Sequence, residues 1–408
     1  MKIDNLICSD VVSQPLHFAI VGAGLIGRLI AWRLAQQGHQ VTLLDKDSKP
    51  AKQSAAYAAA GLLTPLGEAM HSDANIVEMG FESLSLWPKL LAELSGYTYF
   101  QQSGAIMVSH EQDISDFQRY ARYLANHYAH YQCHKMSREQ LLALEPELGR
   151  SFHSGLYLPQ EGQIGNRKLL IALQQELEKL AVCWLEHASV SGINQQSNTS
   201  VVQFTQQGQL GQINCDFVID CRGSGARKSQ CSKQAFALND LRAVRGELFQ
   251  LLAPDVHLTR PVRLMHPRYQ LYIAPKTHGY YVVGATEIES EDNAPMTVRS
   301  SMELLSAAYS VHPGFAEANI RQHISQLRPA FSDNQPKILI SERVLQVNGL
   351  YRHGFLIAPV VLQQVLYAIE QMTRDSAIEP DASPYGRWLT ISARENSAME
   401  KESYEHSY

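Results

Sequence analysis

The sequence is poor in the features that mark the more specialised protein classes. Its 408 residues hold six cysteines, at positions 8, 133, 183, 215, 221 and 231, and no two of them form a Cys-x-x-Cys pair. That spacing speaks against a thiolate zinc cluster and for reduced, structural thiols. Sixteen histidines include no His-Glu-x-x-His, and Cys133-His134 has no second pair nearby, so no metal site is expected. No run of about eighteen apolar residues occurs, so no membrane span is expected. The formal net charge is -5, without the basic stripe that nucleic acid requires. Residues 1–11 carry charges and no long apolar core, unlike a secretory signal, which makes the cytoplasm the expected location. Neither an internal repeat nor a low-complexity segment stands out.

What is present is a phosphate-cradling turn. The apolar run 17–21 leads into Gly22-Ala23-Gly24-Leu25-Ile26-Gly27, an amphipathic stretch follows over 28–37, and a second apolar run, 41–44, ends at Asp45. Strand, glycine turn, helix, strand and acid are in the order that grips the adenosine diphosphate part of a dinucleotide. Gly22 permits the tight turn, Gly24 lets the backbone approach the pyrophosphate, and Gly27 allows helix and strand to pack closely. The helix amides then face the phosphates. Asp45, twenty-one residues after Gly24, is placed to accept from a ribose hydroxyl, which disfavours a 2′-phosphate and hence NADP.

Further along, residues 54–63 are almost all small. Helices are expected over 74–94, with Pro88 marking a bend or restart, and over 114–128, 137–144 and 166–180. Ser137 and Gln140 are spaced as a capping box. Strands are expected at 103–108, 155–159, 182–185, 201–204 and 215–220, with 194–200 as a hairpin or solvated loop. From residue 247 period-two runs dominate, at 249–252, 269–274 and 280–284, the last two joined through 276–279. Residues 302–309 and 356–372 read as helix, 320–328 as weak helix, and the polar tail from 394 as frayed.

These segments together resemble the D-amino-acid oxidase superfamily of FAD-dependent oxidoreductases, and within it the glycine oxidases of thiamine biosynthesis. The resemblance spans roughly residues 15–372. It rests on the opening turn, residues 54–63, Tyr281-Val282-Val283-Gly284-Ala285-Thr286, Leu327-Arg328-Pro329 and the run from Tyr351 to Pro359. It implies an α/β fold: a Rossmann-like FAD-binding domain, discontinuous over 15–95, 150–235 and 325–375, with an α+β substrate domain on an antiparallel sheet from 96–149 and 236–324. A polar extension, 376–408, follows.

The same resemblance implies FAD as cofactor and oxidation of a C–N bond in a small amine or amino acid. Hydride passes to the flavin, the imine hydrolyses and oxygen is reduced to peroxide. It assigns Arg328 to the substrate carboxylate, Tyr272 to the pocket wall and Arg352 to the flavin side. FAD contacts are implied for Gly22, Gly24, Gly27, Asp45, Lys46, Ala60, Gly61, Leu62, Val190, Gly223, Arg352, Gly354, Phe355, Leu356 and Ile357. Self-association is common among such relatives, so a homo-oligomer is open.

Three positions depart from the glycine oxidase pattern: Gln270 replaces a histidine, Glu287 a methionine, and Val360-Val361 small residues. Glu287, if it faces the pocket, joins the catalytic candidates by opposing an anion or tuning a proton. The departures keep open a second reading, a flavoprotein that helps generate cysteine tryptophylquinone in a partner quinoprotein. His353 is expected to be a turn residue near the ligand, with acid–base work the lesser reading. His71 is a candidate for covering the flavin. Arg242, Arg245, Arg263 and Arg268 read as a solvated basic face.

Overall fold

The strand His17–Val21 buries its last four residues, and it takes an interior place in a seven-stranded sheet. The computed structural model describes residues 14–228, 238, 240–266, 269–374, 376 and 382–393. The leader, the tail from 394, Cys8, Cys231 and Arg268 lie outside the described residues, as does the side chain of Gln270.

In the central sheet Gln40–Leu44 and Cys183–Leu185 lie on one side of His17–Val21, all parallel. On the other side come Phe217–Asp220, Val344–Asn348, Lys337–Ser341 and Ile391–Ala393, with Lys337–Ser341 antiparallel to Val344–Asn348. A second sheet has eight strands, in the order Asn319–Ala330, Arg242–Leu252, Tyr280–Gly284, Tyr269–Pro275, Val262–His266, Ala105–Ser109, Ser154–Leu158 and His134–Ser137. Its one parallel pair is Val262–His266 with Ala105–Ser109. Strands Ala188–Gln195, Ser200–Gln206 and Gln209–Cys215 form an antiparallel meander. The chain has a mixed α/β fold.

Most expected elements form. Helix Leu25–Gln36 follows the glycine turn, and helix Arg138–Leu144 begins with the full Ser137–Gln140 capping box. Helix Ala74–Ala92 runs on through Pro88, with Leu84, Trp87 and Leu90 all buried around it. Two readings are corrected. Residues 319–330 are a strand, not a helix, and pair along their length with Arg242–Leu252. Ile320 and Ile324, four apart, suit either period, and the available partner strand decides between them. The run 215–220 is two strands, because Asp216 turns back onto His17, accepting its N–H at 2.7 Å and donating to its carbonyl at 2.9 Å.

Helix Gly354–Thr373 is, among the described residues, the one long and apolar enough to cross a membrane, yet 67% of its apolar window is buried. It belongs to the main core with Leu25–Gln36 and Ala74–Ala92, and the Trp87 indole donates to Phe355 O at 3.0 Å.

One buried cation ties the surroundings of the glycine turn together. Arg28 is 1% exposed; its Nε donates to Ala23 O at 2.8 Å, Nη1 to Leu170 O at 2.6 Å and Nη2 to Lys49 O. The glycine turn, the helix Asn166–Lys179 and the loop after Gln40–Leu44 thus share one guanidinium. Arg28→Met keeps much of the volume but leaves three carbonyls bare, each costing about 1–3 kcal/mol where water cannot reach. We expect R28M to unfold at a clearly lower urea concentration. A midpoint equal to the parent's would show that the carbonyls do not need the arginine.

Candidate active site

A cavity of about 640 Å³ is lined from both large sheets. At one end is the glycine turn. Gly22 has φ +104°, and a Cβ there would lie 2.7 Å from Cys221 O, so only glycine fits. Gly24, Asp45, Lys46, Val190 and Gly223 share this end of the wall. Asp45 reaches the cavity, but its oxygens are already engaged: Oδ1 accepts from Asp47 N at 2.8 Å and Oδ2 from Ala23 N. Burial raises its pKa. Ala60, Gly61 and Leu62 line the middle, opposite Gly354, Phe355 and Leu356.

Two features suit a long anionic cofactor. Helices Leu25–Gln36 and Gly354–Thr373 both begin at this cavity, neither has a side-chain cap, and neither carries an acid in its first turn. Their free amide ends favour negative charge. A Cβ added at Gly24 or at Gly354 would meet no atom within 4 Å, so the wall is open where a ligand's phosphates or ring would approach.

Arg328, Tyr272, Arg352 and Glu287 all line the far end. Glu287 therefore does face the cavity. It accepts from Tyr351 Oη at 2.6 Å and from Arg352 Nη1 at 2.8 Å. Tyr351, Arg352 and Arg328 hold its carboxyl below the usual range, against the effect of burial. Arg328 donates Nη1 to Thr286 O at 3.2 Å.

The residues that organise this end were not foreseen. Glu68 joins Arg263 Nη2 through Oε1 and Arg352 Nε through Oε2, the latter at 3.1 Å. Burial alone would push its carboxyl up; Arg263 and Arg352 hold it well below the usual range. Arg263 also donates to Thr64 Oγ1 at 2.9 Å. Behind them, fully enclosed Glu161 accepts from Gly67 N at 2.7 Å. Burial pushes its carboxyl up to about 8, with Glu68 adding to the rise and Arg263 opposing it. No motif flags Glu68 or Glu161, because their partners lie some 195 and 100 residues away in the chain.

Several expectations need correction. Gly27 is off the cavity wall: its Cβ would stand 1.9 Å from Gly22 O, so it acts by packing alone. Ile357 points into the core at 0% exposure. His71 is not on the wall; its carbonyl accepts from Arg352 Nη2 at 3.2 Å. His353 lines the cavity but burial lowers it to about 4, so it is neutral at pH 7. The basic face is no solvated patch: Arg245 is buried against Glu247, Arg263 against Glu68, and Arg242 pairs with Glu289.

The sequence profile of the DAO family, described as FAD dependent oxidoreductase, matches residues 17–363. The chain belongs to the DAO family. It is 33% identical over 350 residues to a putative thiamine biosynthesis oxidoreductase ThiO of Rhizobium etli, covering 86% of this chain and 95% of that protein. It is 26% identical over 356 residues to a glycine oxidase of Geobacillus kaustophilus, covering 84% and 89%. The crystal structure of glycine oxidase from Geobacillus kaustophilus shares its fold, with a TM-score of 0.75 at 24% identity over 91% of this chain and 98% of that one. Iminodiacetate oxidase from Chelativorans sp. BNC1 does so at 0.73 and 20%, over 93% and 100%. This DAO-family member is an FAD-dependent oxidoreductase, and the open walls at Gly24 and Gly354 fit that cofactor.

In this DAO-family chain the enclosed Glu161 has a measurable signature. Its folded pKa lies above the ordinary carboxyl value, so its protonated form favours the fold fully below that value. The advantage drains as pH rises and is gone above about 8. Glu161→Gln keeps an acceptor for Gly67 N and cannot ionise. We expect the parent to lose melting temperature relative to E161Q between pH 5 and pH 8, with the two nearly equal at pH 5. Parallel curves would refute the buried, protonated carboxyl.

Proposed function

We propose that the protein oxidises the C–N bond of a small amino acid. The charge balance at the far end of the cavity carries this reading. Arg263 and Arg352 are ion-paired with Glu68 and Glu287, whereas Arg328 forms no ion pair among the described residues: it donates to a carbonyl oxygen and meets Glu287 only through space. A planar guanidinium without a hydrogen-bonded carboxylate complements a substrate carboxylate, which it can bind through two parallel hydrogen bonds. Gly246 leaves it room, since a Cβ there would stand 2.3 Å from Arg328 Cζ. Glycine is the substrate named for the glycine oxidases that this chain resembles.

The remaining roles follow. Gly22, Gly24, Asp45, Lys46, Val190 and Gly223 hold the nucleotide half of FAD. Ala60, Gly61, Leu62, Gly354, Phe355 and Leu356 hold the flavin half, with Gly27 and Ile357 supporting them from behind. Bound FAD supplies the two-electron acceptor. Tyr272, kept protonated because burial raises its pKa, offers its hydroxyl to the carboxylate held by Arg328. Glu287 acts as counter-ion: it cancels Arg352, so that Arg328 alone fixes which end of the substrate enters.

The test is anaerobic mixing of the yellow protein with glycine, sarcosine and a panel of D-amino acids, following the visible flavin band. We expect bleaching by at least one of them, and a loss of about a hundredfold in kcat/KM for Arg328→Leu with FAD content unchanged. An R328L protein as efficient as the parent would remove the carboxylate reading. A flavin that stays yellow throughout and bleaches only with a polypeptide would favour action on a quinoprotein precursor instead.

A further inference from the structure

A second cavity, about 270 Å³, lies beside the first and shares the wall made by Ala58, Ala59 and Leu248. Arg167, Lys168 and Lys276 line it, and no acidic residue does. Each cation rests on neutral groups. Arg167 donates Nη1 to Gln250 Oε1 at 3.1 Å, and its guanidinium lies 4.1 Å from the Tyr57 ring centre. Lys168 Nζ donates to Thr277 Oγ1 at 3.0 Å. Lys276 Nζ donates to Gln163 Oε1 at 2.9 Å and Ile164 O at 3.3 Å. None of the three has a carboxylate partner among the described residues.

All three are half-buried, and three cations gathered around one small space without an anion leave it strongly positive. Burial accordingly lowers Lys276 to about 7. The start of helix Asn166–Lys179 opens into the same space. Its N-cap, Gly165, has no side-chain cap and its first turn no acid, which adds partial positive charge. Tyr99, Tyr280 and Ile324 give the rest of the wall an apolar character. The volume is below the usual range of about 300–1,000 Å³ for drug-sized ligands, so the occupant is small.

We propose that this second cavity binds a small organic oxyanion, a carboxylate or phosphate on a short apolar or aromatic body, with its oxygens toward Arg167, Lys276 and the helix start. The site is separate from Arg328. Gln250 follows Gly246, the neighbour of the Arg328 guanidinium, by four residues on one strand, a distance of about 13 Å.

Calorimetric titration of the full FAD-loaded chain tests this, with benzoate, phenyl phosphate and inorganic phosphate as probes. We expect benzoate or phenyl phosphate to bind R328L as well as the parent. In Lys276→Met and Arg167→Gln, binding through this site weakens about tenfold or more, with FAD content and visible spectrum unchanged as evidence of folding. The preferred probe names the head group. Binding that vanishes in R328L and ignores both other variants would put the ligand in the first cavity and overturn the proposal. So would the absence of heat with every probe. Inorganic phosphate binding as tightly as phenyl phosphate would overturn the apolar body.

Discussion

The site depends on a carboxylate held between two arginines. Glu68 is the last residue of the short helix Pro65–Glu68, Arg263 lies on the eight-stranded sheet, and Arg352 just before the long core helix, so one anion joins three separate parts of the fold. Without it, the guanidiniums of buried Arg263 and half-buried Arg352 would stand beside one cavity with no anion between them. With it, and with Glu287 on the other side of Arg352, the positive charge of that wall is spent internally. Arg328 is thereby left as the cation that an incoming anion meets. The selectivity of such a site comes from which charges are already satisfied as much as from which are present.

The nucleotide side was legible in the sequence because its logic is local. Gly22, Gly24 and Gly27 sit within one turn, and each is constrained by atoms of the adjoining strand or by the space in front of it. The substrate side was legible only in part. Arg328, Tyr272 and Arg352 stood in recognisable segments, but the partners that decide their charge state did not. Glu68 and Glu161 come from ordinary surroundings and gain meaning only when the sheet brings Arg263 over them. The same effect misled the reading of Arg245 and Arg263 as a solvated face. A strand that mixes arginine with apolar residues looks amphipathic; Arg263 is buried by an acid 195 residues away, and Arg245 by Glu247 of its own strand, whose direction only the folded sheet reveals. The strand Asn319–Ala330 was missed for a related reason: its isoleucines fit two periods, and only the neighbouring strand chooses.

The two cavities make a contrast. In the first, four charged side chains arrange themselves into a nearly balanced network around one open arginine. In the second, the half-buried cations contact amides, a hydroxyl and aromatic faces but no carboxylate among the described residues. A thin wall of two alanines and a leucine separates them, so a change of packing on one side reaches the other through side chains with few rotamers to absorb it.

The long apolar helix Gly354–Thr373 carries a consequence for how the polypeptide matures. It closes the core against helices contributed by the first hundred residues, and in the central sheet Phe217–Asp220 stands between the early strand His17–Val21 and the late strand Val344–Asn348. Until that helix has been made, the early helices lack the apolar surface it lays against them. The main core is therefore complete only once the chain has been made as far as Ile391, and its contacts join residues distant in sequence, which slows folding.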